Sequence, residues 1–83
     1  MDPDPNPDPD VNDDPLQYGS EGLEVQKMQG YLNTLMPNTT PLATDGRFGT
    51  RTEARVIQFQ MRNGLEASGI IDRNTWEMII DML

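Results

Sequence analysis

The chain has 83 residues, 14 acidic against 6 basic, and contains neither cysteine nor histidine. That length allows one small domain with a thin core, and the missing residue types exclude disulfides and any zinc or haem held by Cys or His. A net charge of −8 and an isoelectric point near 4.1 argue against nucleic acid as a partner, because phosphate contacts need clustered Lys and Arg, and no apolar run approaches the roughly 20 residues of a membrane helix.

Residues 1–15 (MDPDPNPDPDVNDDP) hold six Asp and five Pro, with Val11 as the sole apolar residue after Met1. Proline fixes φ and removes backbone donors, and neighbouring aspartates repel, so the expectation is a disordered or extended acidic linker. Asp2, Asp4, Asn6, Asp8 and Asp10 alternate as oxygen ligands do at the start of a calcium loop. Such a loop needs a sharp turn at its sixth position and a distal Glu; the sixth residue here is Pro7, and the linker reading is the better one. No basic stretch followed by an apolar one opens the chain, so no signal peptide is expected within it. Missing cysteine leaves the compartment open. With the six tail aspartates set aside, residues 16–83 carry 8 acids and 6 bases, a net of −2.

From Leu16 onward the pattern is helical. Val25, Met28, Leu32 and Leu35 recur at spacings of three and four, which predicts a first helix over about 22–35 that ends before Pro37. Residues 37–49 (PNTTPLATDGRFG) are turn-rich. A second helix is predicted over 50–63, with Thr50 to Glu53 fitting a capping box, with Thr52, Val56, Phe59 and Asn63 on one face, and with Gly64 as a left-handed C-cap. After the loop LEASGII, Asp72 is a good N-cap for a third helix over 72–83, whose core stripe is Trp76, Ile79, Ile80 and Leu83. Val25, Met28, Leu32, Phe48, Val56, Phe59, Ile71, Trp76 and Ile79 are the predicted core. Tyr18 and Tyr31 fall off the stripes and are expected to be exposed.

An internal echo supports this parse. Asp45-Gly46-Arg47-Phe48-Gly49-Thr50-Arg51-Thr52 aligns with Ser68-Gly69-Ile70-Ile71-Asp72-Arg73-Asn74-Thr75 at an offset of 23 residues. Each copy has a glycine turn, an apolar residue two places later, a helix start, and a Thr in the first turn. The fold class is therefore all-α, a small three-helix bundle with glycine-turn loops.

The run Gly19-Ser20-Glu21-Gly22, Val25, Met28-Gln29, Leu32, then Asp45-Gly46-Arg47-Phe48-Gly49, Thr52, Val56, Phe59-Gln60, Gly64-Leu65, Gly69 and Thr75-Trp76 resembles the peptidoglycan-binding domain of type 1. That family is a small three-helix module appended to bacterial and phage cell-wall hydrolases, and the resemblance covers about Leu16 to Leu83. Three positions depart from its pattern: Ser68 replaces an Asp, Asp72 a Gly, and Arg55 an Ala. Ser68 and Asp72 keep turn and cap chemistry. Arg55 either lies along the helix surface or alters the groove that relatives use.

The resemblance implies a wall-binding module, with peptidoglycan glycan or stem peptide as partner, held as a monomer beside an attached catalytic domain. An extracellular or envelope location within a larger secreted protein follows from it. Asp45, Arg47, Arg51 and Thr52 gather at the first glycine turn and the amino end of the second helix, where free amides suit a carboxylate. Asp45 also suits a purely local Asx turn. Gln60 and Trp76 complete the expected ligand set, although Gln58 and Gln60 suit loop bridging equally and Trp76 has core spacing. Without His or Cys, catalysis would need a carboxylate pair across a cleft, so no catalytic residue, cofactor or metal is assigned. The alternative reading is a protein-interaction or pro-segment-like regulatory module of the same fold.

Overall fold

A computed structural model describes residues 15–83 and contains three helices, α1 (Leu23–Leu35), α2 (Thr50–Arg62) and α3 (Arg73–Met82). The expectations for the linker and its oxygen ligands therefore lie outside the described residues, Pro15 excepted. Among the described residues no helix is long and apolar enough to cross a membrane. α1 packs against both α2 and α3, and the nine predicted core residues are all buried, joined by Leu16, Met36 and Leu42.

Residues 16–22 run across both glycine turns. Leu16 and Ile71 exchange two backbone hydrogen bonds of 3.0 and 2.7 Å, forming an isolated antiparallel bridge. Further along, the Gly19 amide donates to Phe48 O, the Phe48 amide to Ser20 O and the Gly22 amide to Gly46 O, each at 2.9 Å, around a second bridge between Glu21 and Arg47. These bonds satisfy loop amides that have no helix to join.

The helix ends follow local chemistry, with one correction. Asp72 caps α3 as its sequence context predicts, its carboxylate accepting from the Thr75 amide at 2.9 Å. Asp72→Ala is expected to cost about 1 kcal/mol, the usual worth of an N-cap, read as a lowered melting temperature with helical content retained. α2 closes on Gly64, whose φ of 74° lets its own amide reach Met61 O and the Leu65 amide reach Gln60 O, the paired bonds of a Schellman motif. The predicted capping box at the start of α2 does not form. Gly49, extended at φ −108°, is the N-cap and supplies no side chain. Thr50 is already helical, so its hydroxyl is not placed to cap.

Two apolar assignments also change. Leu83 lies beyond the last turn of α3 and is 53% exposed. Tyr31, expected outside, packs against the core with its ring 5.8 Å from that of Trp76 and tilted by 47°. Aromatic pairs at this spacing gain beyond simple burial. Tyr18 is exposed, as its position off the stripes predicts.

Candidate functional site

The turn before α2 is held by one buried side chain that sequence reasoning passed over. Gln29, on α1, is 1% exposed. Its Oε1 accepts the Gly46 amide at 3.0 Å, and its Nε2 donates to Arg47 O at 2.9 Å, Thr52 Oγ1 at 3.1 Å and, most weakly, Asp45 Oδ1 at 3.3 Å. Two amide hydrogens serve three acceptors, so at least one bond is shared. Gly46 must be glycine: its φ is 77°, and a Cβ there would lie 3.1 Å from Gly22 O.

The 23-residue echo proves to be a repeated clamp. Gln60, on α2, is also 1% exposed. It accepts the Gly69 amide at 2.9 Å and donates to Ile70 O at 2.9 Å and Thr75 Oγ1 at 3.2 Å. Asp45 Oδ1 accepts the Arg47 amide at 2.9 Å, and Ser68 Oγ accepts the Ile70 amide at 3.1 Å, the same local turn built with two different side chains. In each unit a helix glutamine grips the turn that leads into the next helix. A lone Gln on an apolar stripe, four residues after Val25 or Val56, was the available signal.

The two units differ at the cap. In the second, the Asp72 carboxylate occupies the open end of α3. In the first, Gly49 leaves the α2 end bare, and among the described residues the amides of Thr50, Arg51 and Thr52 meet no hydrogen-bond acceptor. Those unpaired donors carry the positive end of the helix dipole. They border a depression of about 290 Å³ that is also lined by Asp45, Arg47 and Pro41.

The 37–44 loop forms the facing wall. Asn33 fastens it by donating to Leu42 O at 3.0 Å and accepting the Leu42 amide at 2.7 Å, and Gln26 donates to Thr44 O at 3.0 Å. From α2, Arg55 donates through Nη1 to Thr39 Oγ1 at 2.8 Å and through Nη2 to Thr40 O at 2.9 Å. A second depression of about 410 Å³ adjoins the first, lined by Arg51, Ala54, Arg55 and Gln58 against Thr40 and Leu42.

The expected site residues therefore divide. Asp45, Arg47 and Arg51 are exposed and line the first depression, with Thr52 buried at its floor. Gln60 and Trp76 are enclosed, Trp76 completely, so a ligand on this surface meets neither. The Trp76 Nε1 has no hydrogen-bond partner among the described residues. Its burial beside Tyr31 gives it a packing role.

Asp45 is anchored electrostatically. The Arg47 amide, then the Gln29 side chain, hold its carboxyl below the ordinary 3.8, because both donors favour the charged form. A lowered folded-state value stabilises the fold fully above the unfolded value, and that contribution drains away as pH falls through the lowered one. Asp45→Asn keeps an acceptor without the charge. Thermal melts from about pH 6 down to about pH 2 should show the wild type more stable at the top of the range and the gap closing in acid.

A family model described as "Putative peptidoglycan binding domain" matches residues 21–79. A zinc D-Ala-D-Ala carboxypeptidase of Streptomyces albus G is 36% identical over 67 residues, which is 81% of this chain and 26% of the carboxypeptidase. The chain thus spans about a quarter of that relative. Among solved structures, the SleB N-terminal domain superposes with a TM-score of 0.78 at 26% identity, covering 87% of this chain and 96% of that one. A peptidoglycan-binding protein from Clostridioides difficile, solved with glutamine hydroxamate, gives 0.72 at 34% identity over 81% of this chain and 40% of that one.

Proposed function

Since the chain belongs to the peptidoglycan-binding domain family, a family of non-catalytic modules that act at the cell wall, we propose that it docks peptidoglycan in the depression between the 37–44 loop and the amino end of α2. The observation that supports this reading is the uncapped start of α2. Of two equivalent glycine turns, one leads into a helix whose Thr75 amide is capped by the Asp72 carboxylate, and the other leads into α2 with no side-chain cap behind Gly49, its open amides flanked by Arg47 and Arg51. Open amides and guanidinium groups together suit the carboxylates and carbonyls of a stem peptide. Arg47 and Arg51 are the ligand-facing donors, and Asp45 keeps the turn in shape. The module acts as a monomer in an extracellular protein that also carries a catalytic domain, with residues 1–15 as spacer. Tethering of this kind raises the local concentration of the attached domain at the wall.

Sedimentation with purified insoluble peptidoglycan tests the reading, with insoluble chitin as control. Chitin shares the N-acetylated sugar but lacks the peptide. The chain should pellet with peptidoglycan and stay in solution with chitin. Pelleting with both would move recognition from peptide to glycan, and pelleting with neither would favour a protein-interaction module.

A further inference from the structure

Arg47, Arg51 and Arg55 follow one another at intervals of four residues, and these three of the chain's six basic residues line the two adjoining depressions. Asp45 is the one acid lining either depression, and none lines the second. Arg51 and Arg55 lie one helical turn apart in α2, a like-charge spacing that disfavours the helix. No residue three or four places from Arg55 on α2 is acidic. Arg55 is moreover set in place, half-buried and strapped by two nitrogens to Thr39 and Thr40. A guanidinium has five N–H donors, so three remain after those two bonds. Donors fixed in advance bind with less ordering cost, and a flat guanidinium fork matches a carboxylate.

We propose that the second depression is a separate carboxylate subsite, built by Arg51 and Arg55, so that the groove reads two carboxylates of one stem peptide. This inference rests on the wall-binding reading above. Arg51 stands at the boundary and lines both depressions. The first carboxylate meets Arg47 and the open amides of α2; the second meets the free donors of Arg55, with Gln58 beside it. The Pro41 and Leu42 side of the loop supplies the apolar wall for the linking backbone.

The tripeptide L-Ala-γ-D-Glu-L-Lys, with both carboxylates free or with either one amidated, tests this by titration calorimetry. Wild type should bind the free diacid several-fold more tightly than either monoamide. Arg55→Gln should lose sensitivity to one of the two amidations and keep the other. Because that change also cuts the loop strap, Ala54→Glu gives an independent reading: it puts an acid into the second depression at an exposed helical position and leaves Arg55 in place. It should reproduce the selective loss while still pelleting with insoluble wall. Equal binding of all three peptides by wild type, or variants that stay sensitive to both amidations, would overturn the subsite. A chain that pellets with wall yet binds no tripeptide would overturn it too, leaving wall binding intact; failure to pellet at all would instead remove the underlying reading.

Discussion

Gln29→Ala is expected to remove roughly half of the domain's stability. The substitution strips partners from the Gly46 amide, Arg47 O and Thr52 Oγ1 at once, and it opens a void where the side chain was 1% exposed. Each buried polar group left without a partner costs about 1–3 kcal/mol, and water entering from the neighbouring depression recovers part of that. A net loss of about 3–5 kcal/mol compares with about 3–10 kcal/mol for a domain of this size. Urea unfolding followed by circular dichroism measures the difference. A midpoint equal to wild type would mean that the turn holds without its clamp. Gln60→Ala should behave alike, since it removes the same three bonds from the second turn.

The largest functional effect is expected from Arg47→Ala combined with Arg51→Ala. Both side chains are exposed and hold no hydrogen bond through their guanidinium groups among the described residues, so the double variant should keep the melting temperature and circular dichroism of wild type. Each contact with ligand is worth about 0.5–1.5 kcal/mol. Losing two should weaken binding about tenfold or more and remove most of the pelleting with insoluble peptidoglycan. Raising salt should reduce wild-type binding only modestly, because hydrogen bonds at short range are screened little and residues 16–83 carry a net charge of only −2 (8 acids against 6 bases). A double variant that pellets like wild type would move the site off this turn.

The helices and their core were readable because their information is periodic. Val25, Met28 and Leu32, or Trp76 and Ile79, repeat at helical spacing and all end up buried. Caps that depend on one residue's chemistry, such as Asp72 and Gly64, were equally plain. The start of α2 misled because Thr-x-x-Glu carries the letters of a capping box whether or not the first Thr is helical. One residue of shift decides that, and pattern does not resolve such a shift. That Asp45, Arg47 and Arg51 lie exposed around one depression was legible from charge beside a glycine turn. Gln60 and Trp76 were not placed correctly in that set, since nothing in spacing says whether an amide faces solvent or a loop. The loop wall was invisible for the same reason. Asn33, Gln26 and Arg55 reach 9 to 18 residues along the chain to grip it, and such pairings leave no periodic trace.

The strand-like passage of residues 16–22 has a mechanical consequence for a protein moored at one point and pulled at another. Tension between Pro15 and a ligand held beside Arg47 does not load all of its backbone bonds together. It reaches the Leu16–Ile71 pair first, and only after that pair parts does it reach the Gly19, Phe48 and Gly22 bonds around the proposed binding turn. Bonds broken one after another yield at lower force than bonds that share a load, so the first event is an early slip that frees a few residues of slack. That slip uncovers Leu16 and the Ile71 side of the core while the Gln29 clamp stays closed. On the proposed binding mode, a ligand held at that turn would thus outlast the first give in the chain, as a rope stretches before its anchor moves.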